Sequence, residues 1–286
     1  MTASNSAARG PQFLGGRPRS RVCALCGRAG GITRAHVPPQ AAGNTGEVRR
    51  YRPGVLAGTL GPQGVPQKGG LFIESLCADC NSWAGANYDR AYAEFAKRLE
   101  FATNPGTLVL PREVPAVNLA PGLVARSILV GLMAVNPRIR INHPTIAEQL
   151  LSEAPEIRLP GQLQLRVAMT RQRSARLAAA STMMRVLGRR QFNLSLAEVW
   201  FRPLAWALIP EPGNTPQFGE DLVTLEGWPD VTEWLCYSTD RTSVDLRNIV
   251  RAFPTVVHPR TDPRQRDSWV EMLSDEAPLL EGVIPR

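Results

Sequence analysis

Lysine is almost missing from this chain. Of its 33 basic residues only Lys68 and Lys97 are lysines, so arginine carries nearly all the positive charge. We read that bias as the mark of a GC-rich genome rather than as arginine chosen for phosphate. Long apolar runs are also missing. The best stretch, Leu119 to Val135, is interrupted by Pro121, Gly122, Arg126 and Ser127, which excludes a membrane span there. Met1 to Gly16 has no apolar segment of the kind a secretion signal needs, so none is expected. Five cysteines in 286 residues are too few for a disulfide scaffold. A reducing, cytoplasmic setting in a bacterial or phage-like source is therefore expected. The chain lacks a P-loop, a nucleotide-binding glycine fingerprint, a Gly-x-Ser-x-Gly elbow and any internal repeat.

What is present is globular in composition, 43% apolar and 20% charged. The net charge is +8, and it is unevenly laid out. Residues 1–50 hold eight arginines against one acid, Glu47, and residues 157–197 hold eight more and no acid. Six acids and no base fall between Glu211 and Glu233. Blocks of one sign fit a polyanionic partner, although a solvated surface explains them equally well.

Along the chain, residues 1–20 read as a flexible basic arm. Residues 21–103 contain every cysteine but Cys236. Within them Gly43 to Gly70 is dense in Gly and Pro and reads as a long insertion loop. Tyr88, Ala91, Tyr92, Phe95, Leu99 and Ala102 recur at helical steps, and Asn104-Pro105-Gly106 ends that helix. Residues 104–286 form a second part of unassigned role, a candidate surface for a protein partner. Its first helix is predicted over Pro121–Val135, followed by a short helix over Pro144–Ser152. Leu163 to Met169 and Phe192 to Leu196 alternate as strands do, and Val199–Ile209 and Glu233–Tyr237 are strand-like. Turns such as Pro212-Gly213-Asn214 punctuate them. Cys236 is expected to be a buried core thiol. The fold class is α+β with a mostly antiparallel sheet.

The most specific signal is a pair of knuckles, Cys23-Ala-Leu-Cys26-Gly27 and Cys77-Ala-Asp-Cys80-Asn81. Two-residue spacing lets one tight turn offer two sulfurs to one ion, and four thiolates close a tetrahedral Zn2+ site. Such a site has no open position, so the expected zinc is structural. Gly27 suits the positive φ that a knuckle turn often needs.

Between the knuckles lies Ile32-Thr33-Arg34-Ala35-His36-Val37-Pro38-Pro39, and after the last cysteine comes Asn81-Ser82. A strand histidine followed by Val-Pro-Pro, between two zinc knuckles the second of which ends in Cys-Asn, resembles the HNH endonuclease family over roughly residues 21–100. The resemblance implies a zinc-stabilised ββα-metal (treble-clef-like) domain that hydrolyses nucleic-acid phosphodiester bonds, DNA being the expected substrate. It implies His36 as general base and Asn81 as ligand to a catalytic Mg2+ or Mn2+, with Asp89 a further candidate ligand. Arg28, Arg34, Arg49 and Arg50 would meet flanking phosphates. Two positions depart from the family pattern. Ala35 stands where relatives carry a metal-binding side chain before the base, and Phe72 stands where the fuller motif has an Asn that orients it. These departures motivate the alternative of a catalytically degenerate nucleic-acid-binding or assembly protein. A third reading is a nuclease effector whose residues 104–286 sense a trigger. Without the resemblance, His36 reads as a structural strand histidine, Asn81 as a helix N-cap, and Trp83, Tyr88 and Tyr92 as helical core. His143 and His258, each before Pro, read as loop or strand-end residues.

Overall fold

The computed structural model describes residues 22–51, 65–103, 117–161, 163–170, 174–186, 190–210, 227–237, 244–251, 253, 255–256 and 280–283. The basic arm, the Pro212-Gly213-Asn214 turn, His258 and most of the Glu211–Glu233 acidic run lie outside them.

The chain opens with β1 (Ile32–His36), β2 (Glu47–Tyr51), β3 (Val65–Lys68) and β4 (Phe72–Cys77). β1 and β4 form a two-stranded antiparallel sheet, with Arg34 opposite Glu74 and His36 opposite Phe72. β4 runs directly into α1 (Ala78–Ala84), with Cys77 in extended conformation at the N-cap and Asp79 in the first turn, where a negative charge is favoured. A π-helical turn at Gly85–Asp89 joins α1 to α2 (Arg90–Thr103). The expected helix therefore begins earlier than its apolar repeat, inside the second knuckle. On α2, Tyr92, Phe95, Ala96 and Leu99 are buried while Glu94, Lys97, Arg98 and Glu100 face solvent.

After β5 (Asn118–Leu119) comes α3 (Pro121–Val135), whose bounds match the sequence reading. Pro121 at its first turn has the φ that a helix start requires, and Asn136-Pro137 stops it. α3 is buried nearly all round because it packs both against β1 and β4 and against the large sheet. Its one charged residue, Arg126, is fully buried. The guanidinium donates to the carbonyl oxygens of Gly122, Tyr237, Ala154 and Pro155 at 2.8–3.1 Å. Four carbonyl acceptors replace water around the charge and tie two later segments to the helix. Two short helices follow, α4 (Arg138–Asn142) and α5 (Pro144–Leu151). His143 lies between them and is buried.

The remaining strands are β6 (Leu163–Thr170), β7 (Ser174–Val186), β8 (Arg190–Phe201), β9 (Leu204–Pro210), β10 (Val244–Asp245), β11 (Thr255–Val256) and β12 (Leu280–Val283); a short helix, α6 (Arg247–Arg251), follows β10. β10 pairs with β5. The large sheet has eight strands in the order β11-β6-β9-β8-β7-β12-β2-β3. Among the described residues only β11–β6 is parallel. The α+β class and the mostly antiparallel sheet thus appear as expected. The ends of the Gly/Pro-rich Gly43–Gly70 stretch are paired strands of this sheet, reached through β12.

Two strand expectations are corrected. The run Val199–Ile209 is broken by a turn at Arg202-Pro203 into the end of β8 and the start of β9. Glu233–Tyr237 is not a strand: Thr232–Cys236 is a 3-10 turn. Asp230 Oδ1 accepts from both the backbone N–H and the hydroxyl of Thr232, a local side-chain cap that starts a turn rather than a strand. Cys236 consequently sits on the outside and is exposed, not a core thiol.

One apolar core runs from Cys23 to Phe253. Trp206 of β9 lies with its ring centroid 6.3 Å from Tyr92 of α2 and 6.1 Å from Trp234 of the 3-10 turn. Trp234 in turn meets Phe95 edge to face at 5.7 Å. These rings join the helix that follows the cysteine knuckle to the large sheet.

Candidate metal centre and the His36 face

The four knuckle cysteines converge. The Sγ atoms of Cys23, Cys26, Cys77 and Cys80 all lie within 4.8 Å of one another. Cys26 Sγ and Cys77 Sγ are 3.7 Å apart. A tetrahedral ion with metal–sulfur bonds of about 2.3 Å requires sulfur–sulfur separations of about 3.8 Å, so the thiols are placed to hold one metal ion. The first knuckle is a tight turn in which Gly27 N–H donates to the Cys23 carbonyl and Gly27 has φ +76°. The second knuckle straddles the end of β4 and the first turn of α1.

The surroundings treat the sulfurs unequally. Burial opposes ionisation of Cys23, but the backbone N–H of Cys77, 3.3 Å from its sulfur, and those of Cys26 and Leu25 outweigh it and bring the thiol down to about 7. Burial pushes Cys26 up. Burial and the crowding of the other thiols push Cys80 well above the ordinary thiol range. Among the described residues no other cluster of three or more His, Cys, Asp or Glu side chains could hold a metal.

One face of the β1–β4 sheet carries Arg34, His36, Phe72 and Glu74, because both cross-strand pairs fall on the same side of the pleat. The Arg34 guanidinium lies over the Phe72 ring, 4.6 Å from its centroid. It is also 3.9 Å from a Glu74 carboxylate oxygen. The His36 ring meets the edge of Phe72 at 5.7 Å. Phe72 is thus the floor on which both polar side chains rest.

His36 is half-buried, and its Nε2 lies 2.9 Å from the carbonyl oxygen of Gly69. A carbonyl only accepts, so Nε2 carries the hydrogen and Nδ1 holds the lone pair of the neutral ring. Burial lowers the pKa of the ring, aided by the nearby Arg34 charge and opposed by the Gly69 contact. The imidazole is therefore neutral at pH 7.

Asn81 lies in the first turn of α1, but Cys77 is the N-cap. Its amide nitrogen donates to the Arg34 carbonyl at 3.1 Å and to Thr33 Oγ1 at 3.3 Å. The side chain pins α1 to β1 two residues before His36, and its oxygen is not engaged by any described residue. Asp89 belongs to the π-helical turn and accepts a hydrogen bond from Ser127 Oγ of α3 at 3.1 Å. Burial pushes its carboxyl up to about 6, against the Ser127 hydrogen bond. Arg28 lies 3.7 Å from Asp79, both exposed. Arg49 and Arg50 sit on β2, opposite Val283 and Gly282 of β12; their side chains are outside the described part. Tyr88 and Tyr92 are buried in the core, and Trp83 donates to Glu153 at 2.9 Å.

Two residues gain meaning only in three dimensions. Ala35 is 2% exposed and packs into the core, on the face of β1 opposite His36. A longer side chain at position 35 would enter the core. Asn44, inside the stretch read as an insertion loop, is fully buried and fully used: it bonds to the backbone on both sides of the His36–Gly69 contact. Its only signal in the sequence is its place between two glycines, Gly43 and Gly46, that end turns with positive φ.

No family model matches the chain, and neither a curated protein nor a solved structure matches it.

Proposed function

We propose that this chain is a metal-dependent endonuclease of the HNH type, hydrolysing phosphodiester bonds in nucleic acid, with DNA as substrate and His36 as general base. The observation that carries the reading is the hydrogen bond from His36 to Gly69. It fixes the tautomer, leaves Nδ1 basic, and holds a neutral ring beside an arginine on an open strand face. In this reading Nδ1 takes a proton from water as the water oxygen attacks phosphorus and the 3′ oxygen leaves. Arg34, braced on Phe72, meets a phosphate next to the scissile one, and Arg28 extends the contact. The Gly69 carbonyl stabilises the imidazolium that forms, by accepting from Nε2.

Zinc is the metal proposed for the four cysteines, in a closed structural site that joins both ends of the segment bearing His36. A second cation, Mg2+ or Mn2+, would stabilise charge on the phosphate and on the leaving oxygen. The Asn81 oxygen is the ligand atom this chain offers it, since the amide nitrogen is spent on β1. Water and phosphate oxygens suit the remaining positions of such an ion.

Ala35 favours a second reading. With no ligand before the base, and with that position turned into the core, the face at His36 fits a catalytically degenerate nucleic-acid-binding protein that keeps the arginines but does not turn over.

Incubation of supercoiled and linear DNA and of RNA with Mg2+ or Mn2+ separates the two. Cleavage by the wild type that His36→Ala abolishes supports the nuclease. Salt-sensitive binding without cleavage supports the second reading, and neither cleavage nor binding removes both.

A further inference from the structure

We infer that Asn44 is a positioning residue for His36: it holds the turn that aims the Gly69 carbonyl at the imidazole. The inference rests on the nuclease reading of His36. β1–β4 pairing ends at His36 opposite Phe72, and beyond that point one backbone bond, from the Val37 N–H to the Leu71 carbonyl, continues it. Asn44 adds three side-chain bonds there. Its Nδ2 donates to the carbonyls of Pro38, two residues after His36, and of Leu71, at 2.5 and 2.8 Å. Its Oδ1 accepts from the Leu71 N–H at 2.6 Å. The Leu71 carbonyl also accepts from the Val37 N–H at 3.2 Å, so Asn44 and Val37 converge on one oxygen.

The same turn sets the peptide that touches His36. The N–H groups of Gly69 and Gly70 both donate to the Gly46 carbonyl, at 2.7 and 2.8 Å. A trans peptide is planar, with its N–H and C=O pointing opposite ways. With the Gly70 N–H turned to Gly46, the Gly69 carbonyl of that peptide must point away from it, toward Nε2. Gly69 and Gly70 both have φ above +80°, and a Cβ on Gly70 would collide with the backbone of Asn44. The 43–46 turn packs closely against the 69–71 turn, and Asn44 is the buried side chain that bonds the two.

The test uses the zinc-loaded full chain with 15N-histidine, His36→Gln identifying the His36 signals. The wild type is expected to show a slowly exchanging His36 Nε2–H and a single neutral tautomer. Asn44→Ala is expected to lose that slow proton with zinc content unchanged. On DNA its kcat is expected to fall about 10- to 100-fold with KM little changed, as for a displaced catalytic group. Asn44→Asp keeps the acceptor for Leu71 and loses the amide donors, so its Nε2–H should exchange at an intermediate rate; it serves if Asn44→Ala does not fold. A wild type without the slow proton overturns the inference. So does a folded Asn44→Ala, or Asn44→Asp, that exchanges it at the wild-type rate. Absence of cleavage by the wild type would defeat the nuclease reading alone, and the exchange data would still decide the role of Asn44.

Discussion

Arg140 of α4 lies against Gly27 of the first cysteine knuckle: a Cβ at position 27 would sit 2.9 Å from Arg140 Nη1. Gly27 therefore meets two demands, a left-handed backbone at φ +76° and room for a guanidinium from α4. Gly27→Ala should destabilise the chain by about 1–3 kcal/mol, from the strained φ and the displaced arginine together. Chemical denaturation of the zinc-loaded protein measures it. Gly27→Ala combined with Arg140→Ala should recover only the steric part. Full recovery would show that backbone conformation is not at issue.

The second expectation concerns the metal. The four thiols close a sequence loop of more than fifty residues, and their ligand set leaves no open position. Removing the ion with a strong chelator should unfold the β1–β4 sheet and α1, because metal-binding energy of roughly 10 kcal/mol or more is folding energy in such sites. Circular dichroism and the melting temperature report it, with zinc, and not Mg2+, restoring the signal. An apo-protein that melts as the metal-bound form does would rule out a structural ion.

Position 35 offers a sharp test of the family pattern. The HNH pattern has a metal-binding side chain at this place, whereas Ala35 is buried in the core. Ala35→Glu should cost stability, on the order of 2–5 kcal/mol for an unpaired buried carboxylate, and should not raise cleavage above the wild-type level. A stable Ala35→Glu protein that cleaves faster than the wild type would show that the side chain reaches the His36 face.

Asp89 sets a pH dependence. Burial raises its carboxyl from 3.8 to about 6 in the folded state, so between those values the folded chain holds more protons than the unfolded one. Its contribution favours folding at low pH and is lost as pH rises through about 6. Asp89→Asn, which can still accept from Ser127, should therefore be more stable than the wild type at pH 8, by about 2–3 kcal/mol. The difference should vanish toward pH 4. Denaturation at both pH values checks this. A variant less stable at pH 8 would mean that the carboxylate has a charged partner, such as a bound cation.

How much of this was legible depends on the length of the pattern that carried it. The cysteine cluster follows from two short spacings, each fixed by a single turn, and α3 from Pro121 and Asn136-Pro137 at its ends. Glu233–Tyr237 reads as a strand because the four-residue apolar run Trp234–Tyr237 has no period of its own; Asp230, just upstream, decides it by capping Thr232. Asn44 is not legible in the sequence because its partners, Pro38 and Leu71, are brought to it only when the glycine-rich stretch folds back. The inward turn of Ala35 follows from strand alternation, once His36 is known to face outward.

The position of β12 carries a consequence for how the protein is made. Leu280–Val283 lies between β7 and β2, antiparallel to both, so the hairpin that leads into Gly69 is joined to the large sheet by a strand encoded far downstream. Contacts so distant in sequence close slowly. On the ribosome the sheet would stay open at that seam until the strand emerged, so the turn beside His36 would gain its support long after β1 and β4 had been made.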